Sequence, residues 1–533
     1  MKDLKLRFKT PAERTNEGWE KYSLPLGNGY GGASVFGGYD EERVQFTTNV
    51  FANTFRQGGV SNFLELYVDF SDKAKDYERL LDLRTGVAYS EYVSDFGKTK
   101  RKAFYSYPDN VFVYRAEFEK PKDLRVKIVI PYLGERPLDD GGRTGEIITD
   151  GDMLVACGTL PSRELKYMAK VAVETDGEKK CKNGQIAVIN ALYADIYVVM
   201  GTSYKLCPKA FSTHKALGGD PAERVSARLE NALKLGYDAL LKRHIADFSS
   251  LMNRVEFNLG GTDDGRATDE LLRSYRDGNP EPYLEEIYYQ YGRYLLISSS
   301  RKGTPPASLQ GVWTIHDKSP WGSGFWHNIN IQMNYWHAFS TNIAEAFDAY
   351  ADFFKAYLPE AEKNAKAWIA ETNPENAEGD CGWIIGTSAF CYEIEGKNPN
   401  SHSGPGTGGL TAKMFYDAYD FTRDEKFLKN YAYPAVHGMA KFLKKTLRDY
   451  DGRKLCSFSA SPEQILSGEW VNEHKYQQYY HTVGCSFDQQ MVKEVFKDDL
   501  KMSKILGVSD EITRYEEENI NSLDAIRVGY SGQ

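Results

Sequence analysis

Short apolar or alternating runs dominate about the first 210 residues of the chain. They cover residues 111–118, 125–130, 169–173 and 186–200, and turn residues separate them, as in Asp139-Asp-Gly-Gly142. Successive side chains of a strand point to opposite faces of a sheet, so these runs predict short strands. Their regular spacing predicts an N-terminal β-sandwich.

The period of the pattern changes after Pro221. Apolar residues then recur three or four positions apart in two sets, Val225, Leu229 and Leu233, and Leu241, Ile245, Phe248 and Leu251. Gly236 lies between the sets and is expected to end the first of two linking helices, which reach about Arg254. The Gly-rich and Asp-rich stretch 260–265 predicts a domain boundary.

From about Ala267 the chain is predicted to be helical with long loops. The candidate helices cover residues 281–298, 343–357, 410–421, 434–447 and 487–506. Helical hairpins joined by long aromatic loops are typical of an α/α toroid. The predicted domains are therefore a β-sandwich at 1–220, a helical linker at 221–265 and a partial (α/α)6 catalytic barrel at 266–533.

Composition excludes several classes of protein. The 533 residues are 41% hydrophobic and 26% charged, with a net charge of −9. The negative charge argues against nucleic acid or an anionic membrane as a partner, and no apolar run of about 18 residues is present. Seven scattered cysteines and a start without an apolar signal core predict a cytoplasmic protein. A secreted or periplasmic location stays open, and the oligomeric state does not follow from the sequence.

Tryptophan is concentrated in the predicted barrel. Seven of the eight tryptophans lie between residues 313 and 470. Trp313, Trp321 and Trp326 fall in a stretch rich in Gly, Pro and Ser, where core packing explains them poorly. Aromatic faces in a cleft built from loops suit the C–H faces of sugar rings, so we expect an oligosaccharide or glycan as substrate.

Two amides and one carboxylate are the candidate chemical groups. Asn328 and Asn330 are two residues apart, so in an extended segment both side chains would lie on one face and could hold a water or a sugar hydroxyl. They could equally cap backbone groups in a loop. Glu463 follows Ser461-Pro462 and could act as an acid, or it could lie in the first turn of a short helix.

No metal or cofactor is predicted. His327 and His337 flank the Asn pair without the HxxxH or HExxH spacing of metal ligands, and no P-loop or strand-anchored GxGxxG occurs.

Several ordered motifs resemble glycoside hydrolase family 95, the inverting α-L-fucosidases and α-L-galactosidases. They are Leu24-Pro-Leu-Gly-Asn-Gly29, Tyr291-Gly-Arg-Tyr294, Pro306-Ala-Ser-Leu-Gln-Gly-Val-Trp313, Asn328-Ile-Asn-Ile-Gln-Met-Asn-Tyr-Trp336 and Ser461-Pro-Glu463. The resemblance implies that Glu463 protonates the glycosidic oxygen, while Asn328 and Asn330 orient the attacking water. It also implies substrate contacts from Trp326, His327, Trp313, Trp336, Trp383 and Gln310.

The chain departs from the family pattern at three places. The family's Asp-bearing F-Q-I-D-G-N-F-G motif is absent, so the chain is expected to be truncated at its carboxyl end. Trp326 stands where the family has a fucose-contacting His, and Gly382-Trp-Ile-Ile-Gly386 lacks the His and Asp of the related stretch. Asp488 corresponds better to a barrel-helix residue than to a substitute base.

The leading hypothesis is an exo-acting inverting hydrolase for an α-linked L-sugar of the fucose or galactose type. A catalytically degenerate sugar-binding protein and a glycoside phosphorylase on a related barrel are the alternatives.

Overall fold

The computed structural model describes residues 2–53, 59–395, 404–460, 482–524 and 528–532. The chain forms two compact units. The first, here called the β unit, contains Met1–Lys205, Lys215–Ser323 and Thr341–Ala349. The second, the helical unit, contains Leu206–His214, Gly324–Ser340 and Tyr350–Gln533. The predicted order of a β-rich domain followed by a helical domain is confirmed.

Fourteen strands of the β unit, counted over the described residues, form one hydrogen-bonded network. They are β1 Lys5–Phe8, β2 Leu24–Gly27, β3 Gly32–Val35, β4 Glu41–Thr47, β5 Leu64–Asp69, β6 Lys75–Asp82, β7 Val87–Ser94, β8 Gly97–Ser106, β9 Val111–Val129, β10 Thr144–Asp150, β11 Met153–Leu160, β12 Leu165–Thr175, β13 Glu178–Lys182 and β14 Gln185–Thr202. The main path runs β1-β6-β7-β8-β9-β14-β12-β11-β10, and β2-β3-β4-β5 joins it at β9.

The long strand β9 connects these two groups of strands. Its first half pairs with β8 and its second half with β5, while β14 pairs along both halves. In the second half, Leu124, Val126 and Ile128 are buried and the residues between them are exposed, which fits a strand with one face in the core. The runs predicted as separate strands at 111–118 and 125–130 are thus one continuous strand.

Short strands also occur outside the large sheet. They are β15 Ala389–Phe390, β16 Glu393–Ile394, β17 Leu447–Tyr450, β18 Arg453–Ser459 and β19 Thr482–Val483.

The helices follow the predicted spacing over most of the chain. They are α1 Asn16–Tyr22, α2 Pro208–Thr213, α3 Ala222–Met252, α4 Thr268–Arg276, α5 Pro282–Ser299, α6 Asn330–Ser340, α7 Asp348–Thr372, α8 Thr407–Thr422, α9 Glu425–Phe427, α10 Tyr433–Thr446, α11 Ser486–Leu506 and α12 Glu511–Asn519. A π-helical turn, Leu428–Ala432, joins α9 to α10. Helix α7 begins five residues later than predicted, after a 3-10 turn at Ala344–Phe347. No described helix is both long enough and apolar enough to cross a lipid bilayer.

Helix α3 packs its apolar face on the large sheet. Val225 and Leu229 form a buried cluster with Phe104 of β8 and Tyr197 of β14. The helix is interrupted at Gly236, where φ is +72° and ψ is +169°. This confirms the predicted break, since glycine adopts positive φ without the steric cost that other residues incur.

The β unit extends further along the chain than the predicted domain limit at residue 265. Helix α4 packs against β1, and α5 packs against α3 and β2. Burial of these helix faces against the strands groups residues 266–323 with the sheet, although their periodicity resembles that of the later helices.

A buried ion pair lies inside the β unit. The Arg101 guanidinium donates to the carbonyl oxygens of Gly38 at 2.6 Å and Gly37 at 3.0 Å, and it lies 3.5 Å from the Glu42 carboxylate. Glu42 also accepts the Gly37 N–H at 2.6 Å and the Tyr114 hydroxyl at 3.2 Å. Both side chains are buried, and each forms several hydrogen bonds that a hydrophobic side chain could not form.

Replacing Arg101 by Met should therefore destabilise the β unit strongly. The variant leaves Glu42 buried without its cation, for which the expected loss is about 3–5 kcal/mol in the free energy of unfolding. Lys100→Met is the matched control, because Lys100 is the exposed neighbour on the same strand and its loss should cost less than about 0.5 kcal/mol. Denaturant unfolding measures both variants, and equal stabilities would contradict a structural role for the pair.

Candidate active site

The stretch before α6 is fixed by backbone hydrogen bonds to a distant segment of the helical unit. Phe325 N–H donates to the Ala389 carbonyl at 2.8 Å, and Ala389 N–H donates back to the Phe325 carbonyl at 3.2 Å. His327 N–H donates to the Thr387 carbonyl at 2.6 Å. The chain is thus held as a short extended segment up to His327, and it turns immediately afterwards.

The His327 side chain is the buried anchor of this turn. It is 0% exposed. Its Nδ1 lies 2.7 Å from the Phe325 carbonyl, which can only accept, so Nδ1 carries the proton. Nε2, at 2.8 Å, then accepts from the Tyr350 hydroxyl, and the Tyr350 oxygen lies 3.2 Å from the Tyr357 hydroxyl. Burial lowers the pKa of His327 to about 3, so the imidazole is neutral.

The two-residue spacing places the side chains of Asn328 and Asn330 on one face only in an extended segment, and the structure has no extended segment at these residues. Residues 327–329 form a turn and Asn330 is the first residue of α6. The turn forms because Ile331 N–H donates to the Trp326 carbonyl at 2.8 Å and the Gln332 side chain donates to the His327 carbonyl at 2.7 Å. Both residues are nevertheless partly exposed at the positive end of the helix dipole, although the amide oxygen of Asn328 is itself buried.

Two of the predicted aromatic contacts are accessible. Trp336 is 46% exposed on α6, and it follows Ile329 at 40% and Met333 at 54% along one face of the helix. Trp326 is partly exposed immediately before the turn. The turn therefore presents two indoles and two amides within eleven residues of sequence.

Trp383 has a different environment from the one the sugar-contact hypothesis implies. It is 1% exposed, its Nε1 donates to the Ala435 carbonyl at 2.8 Å, and its ring packs edge-on against Phe354 at 5.0 Å. Gly438 and Gly408 leave room for the indole, because an added Cβ would approach its ring atoms to 2.7 Å and 3.2 Å. In this arrangement Trp383 is a core residue.

Trp313 and Gln310 belong to the β unit. Trp313 is 8% exposed and its Nε1 donates to the Leu26 carbonyl at 2.8 Å. Both residues line a cavity of about 290 Å³ together with Trp19 and Tyr291. The Gln310 amide oxygen is buried and accepts no hydrogen bond from any described residue.

Glu463, the predicted acid, and Trp470 lie outside the described residues. The segment that contains them begins after Ala460, which is described. Ala460 N–H donates to Asp488 Oδ2 at 3.0 Å, and the Ser459 hydroxyl donates to the same oxygen at 2.6 Å. Asp488 of α11 thus fixes Ser459 and Ala460, the last described residues before Glu463 in the sequence.

Asp488 was not recognised from the sequence as an anchor. It is 0% exposed, and its Oδ1 accepts the Gly406 N–H at 2.8 Å. Burial raises the pKa of Asp488 above its ordinary value, and its hydrogen-bond donors oppose that shift. A Cβ on Gly404 or Gly406 would meet the carboxylate at 2.8 Å or 2.6 Å. In the sequence, the two glycines spaced two apart were the signal that another side chain could approach this backbone closely.

Family models match both parts of the chain. The glycosyl hydrolase family 95 catalytic domain matches residues 236–533, which is more than half of the chain. The chain belongs to glycosyl hydrolase family 95. The N-terminal domain of glycosyl hydrolase family 65 matches residues 53–206.

Curated relatives agree with this assignment, and a solved structure is similar in fold. The chain is 26% identical over 590 aligned residues to "Alpha-L-fucosidase 2" of Arabidopsis thaliana, covering 95% of the chain and 66% of the relative. It is 29% identical to "Probable alpha-fucosidase A" of Aspergillus niger, covering 86% and 57%. A "Putative kojibiose phosphorylase from human microbiome" shares the fold, with a TM-score of 0.60 at 12% identity over 98% of the chain and 71% of that structure. The chain thus spans about half to two thirds of the curated relatives it matches.

Within the described ranges, no group of three or more His, Cys, Asp or Glu side chains could hold a metal ion.

The buried, neutral His327 predicts a specific pH dependence of stability. Its folded pKa of about 3 lies below the ordinary value of 6.5, so its contribution is full above pH 6.5 and is lost as the pH falls toward 3. Between pH 6.5 and 4.5 the wild type should lose about 2 kcal/mol more free energy of unfolding than His327→Gln.

Urea unfolding at the two pH values measures this difference. His214→Gln is the matched control, because this histidine of the same unit is 55% exposed, and its variant should keep the wild-type pH dependence. An identical acid dependence in His327→Gln and the wild type would show that His327 is not held neutral.

Proposed function

We propose that the chain carries the centre of an exo-acting, inverting glycoside hydrolase for an α-linked L-sugar of the fucose or galactose type. Membership of family 95 supports the reaction class, and the names of the curated relatives support α-fucosides as the first substrates to test. The observation that carries the proposal is the turn at residues 327–330, which places two partly exposed asparagines next in sequence to accessible indoles.

In this mechanism Asn328 and Asn330 hold the attacking water. An amide oxygen accepts a hydrogen from water, and an amide N–H₂ group can donate to its oxygen, so two amides fix both its place and its orientation. As the bond to the anomeric carbon forms, the water must lose a proton, which neither neutral amide can accept; the family resemblance assigns that proton to the Asp of the F-Q-I-D-G-N-F-G motif, which is absent from this sequence. Inversion requires the water to attack from the face opposite the leaving group.

Glu463 is the proposed general acid that protonates the leaving oxygen. The assignment rests on the resemblance of Ser461-Pro-Glu463 to the family's acid-bearing segment. Asp488 itself is an unsuitable base, since donors already occupy both of its oxygens.

The remaining predicted residues fall into two groups, those proposed to contact the substrate and those proposed to position other residues. We assign direct contact with the sugar or its aglycone to Trp326 and Trp336, which are accessible, and we keep Gln310 and Trp313 as candidate contacts in the β unit. We assign His327 and Trp383 a positioning role, because both are buried and their polar atoms are already bonded. Trp326 in place of the family's His removes a polar partner, so the identity of the sugar is open within this class.

A phosphorylase would need a cationic or anion-binding loop where the water lies. Residues 324–330 contain no Lys or Arg, and His327 is held neutral. These features favour water over phosphate as the nucleophile. A degenerate sugar-binding protein would keep the indoles but would not need both amides.

Asn328→Ala and Asn330→Ala should each lower kcat for an aryl α-L-fucoside by about 10²–10³, with substrate binding largely kept. Each change removes one of two groups that orient the water. Asn334→Ala, one turn further along α6, is the matched control and should change kcat by less than about threefold. Steady-state kinetics measures kcat, and a binding titration measures the affinity for substrate. Unchanged kcat in both test variants would exclude the water-holding role.

Glu463→Gln should lower kcat most for substrates with poor leaving groups. An activated phenolate needs little protonation, so its cleavage should suffer least, whereas a natural disaccharide should be cleaved at least about 10² times more slowly. The comparison is the ratio of kcat between the two substrates in wild type and variant. An equal loss on both would indicate that Glu463 supports structure and is not the acid.

A further inference from the structure

A second cavity, of about 810 Å³, lies wholly within the β unit. It is bounded by the first turns of α3 and by the loops that follow β2, β8, β14 and α5. It shares no residue with the candidate active site. Its volume falls in the range of about 300–1,000 Å³ that is typical of small-molecule sites.

Two arginines on one face of α3 line this cavity. Arg224 and Arg228 are four residues apart, so their side chains are neighbours along the helix. Neither forms an ion pair with a carboxylate within the part of the chain that the structure describes. Arg224 donates to the Thr202 carbonyl at 2.6 Å, while Nη1 of Arg228 is buried and has no hydrogen-bond partner among the described residues. Like charges at this spacing destabilise a helix unless a counter-charge binds them.

The one carboxylate on the cavity wall does not neutralise these arginines. Asp109 accepts the Ser106 hydroxyl at 2.8 Å and pairs with Arg243 at 2.9 Å, and its side chain is 2% exposed. Lys302, on the opposite loop, adds a third cation, 3.7 Å from Asp348 and 75% exposed. The cavity is therefore cationic in a chain whose net charge is −9.

Three tyrosines complete the wall. Tyr30, Tyr107 and Tyr204 are partly exposed and line the same cavity. The Tyr107 ring is fixed, because its hydroxyl donates to the Lys302 carbonyl at 2.8 Å and the Arg301 guanidinium lies 4.0 Å from its centroid. Tyrosine faces pack against the C–H surface of sugar rings, and arginine binds carboxylate or sulfate groups in a two-pronged manner.

We propose that this cavity is an accessory site for an acidic saccharide. A carboxylate or sulfate on the sugar would lie between Arg224 and Arg228 and satisfy the buried Arg228 nitrogen, while a sugar ring would pack on a tyrosine face. The site is separate from the chemistry proposed for Asn328 and Asn330, so it would bind an anionic part of a glycan and not the scissile sugar.

Isothermal titration of the full chain tests this with four probes at low salt: trigalacturonate, galactose 6-sulfate, neutral maltotriose and sodium sulfate. We expect one or both acidic sugars to bind at least about tenfold more tightly than maltotriose and sodium sulfate, and Arg228→Gln to weaken that binding about tenfold or more. The two acidic probes distinguish a carboxylate site from a sulfate site. Lys234→Gln, which removes an exposed cation of α3 outside the cavity, should leave binding within twofold.

Thermal unfolding checks that each variant is folded, and Arg224→Gln, at a more exposed position, replaces Arg228→Gln if the latter is not. Equal binding of maltotriose would overturn the proposal, as would sodium sulfate binding as tightly as the acidic sugars. So would the absence of binding at millimolar concentration, or equal losses in the arginine variants and Lys234→Gln. Because the readout is binding and not cleavage, an inactive chain can still support this site.

Discussion

The candidate active site depends on one buried, neutral imidazole. His327 donates through Nδ1 to the Phe325 carbonyl and accepts through Nε2 from Tyr350. The direction of each bond is set, because a carbonyl cannot donate and a neutral imidazole has one donor and one acceptor. With the backbone bonds to Thr387 and Ala389, this fixes where the chain turns into α6. Asn328 and Asn330 come directly after that point, so the same hydrogen bonds fix the place where their backbone begins.

The local pattern of apolar residues and glycines predicted much of the fold, but it did not predict the structure of the candidate site. The break at Gly236 and the helices α5, α8, α10 and α11 follow from periodicity and glycine, which act within a few residues. Helix α6 was not predicted at all, since its Asn-rich and aromatic start resembles a loop. Two hydrogen bonds define the start of the helix, from Ile331 N–H to the Trp326 carbonyl and from the Gln332 side chain to the His327 carbonyl. The backbone that carries these two carbonyls is itself paired with residues some sixty positions further along the chain.

Burial was the property that sequence could not assign. His327 and Trp383 were both expected to contact substrate, because the resemblance to family 95 implied it. Trp383 is instead enclosed by Phe354 and by two glycines that make room for its ring. The anchoring carboxylate of Asp488 was assigned only to a barrel helix, since its partners Ser459 and Gly406 lie far from it in sequence.

In the proposed mechanism, two amides direct a water to the anomeric carbon from the face opposite the leaving group. Proton NMR can identify the anomer of the first-formed sugar before mutarotation mixes the two anomers. With an aryl α-L-fucoside we expect that β-L-fucose is released first, and that added phosphate changes neither the rate nor the product. Release of the α anomer, formation of a sugar phosphate, or no cleavage of any α-linked L-sugar would contradict it.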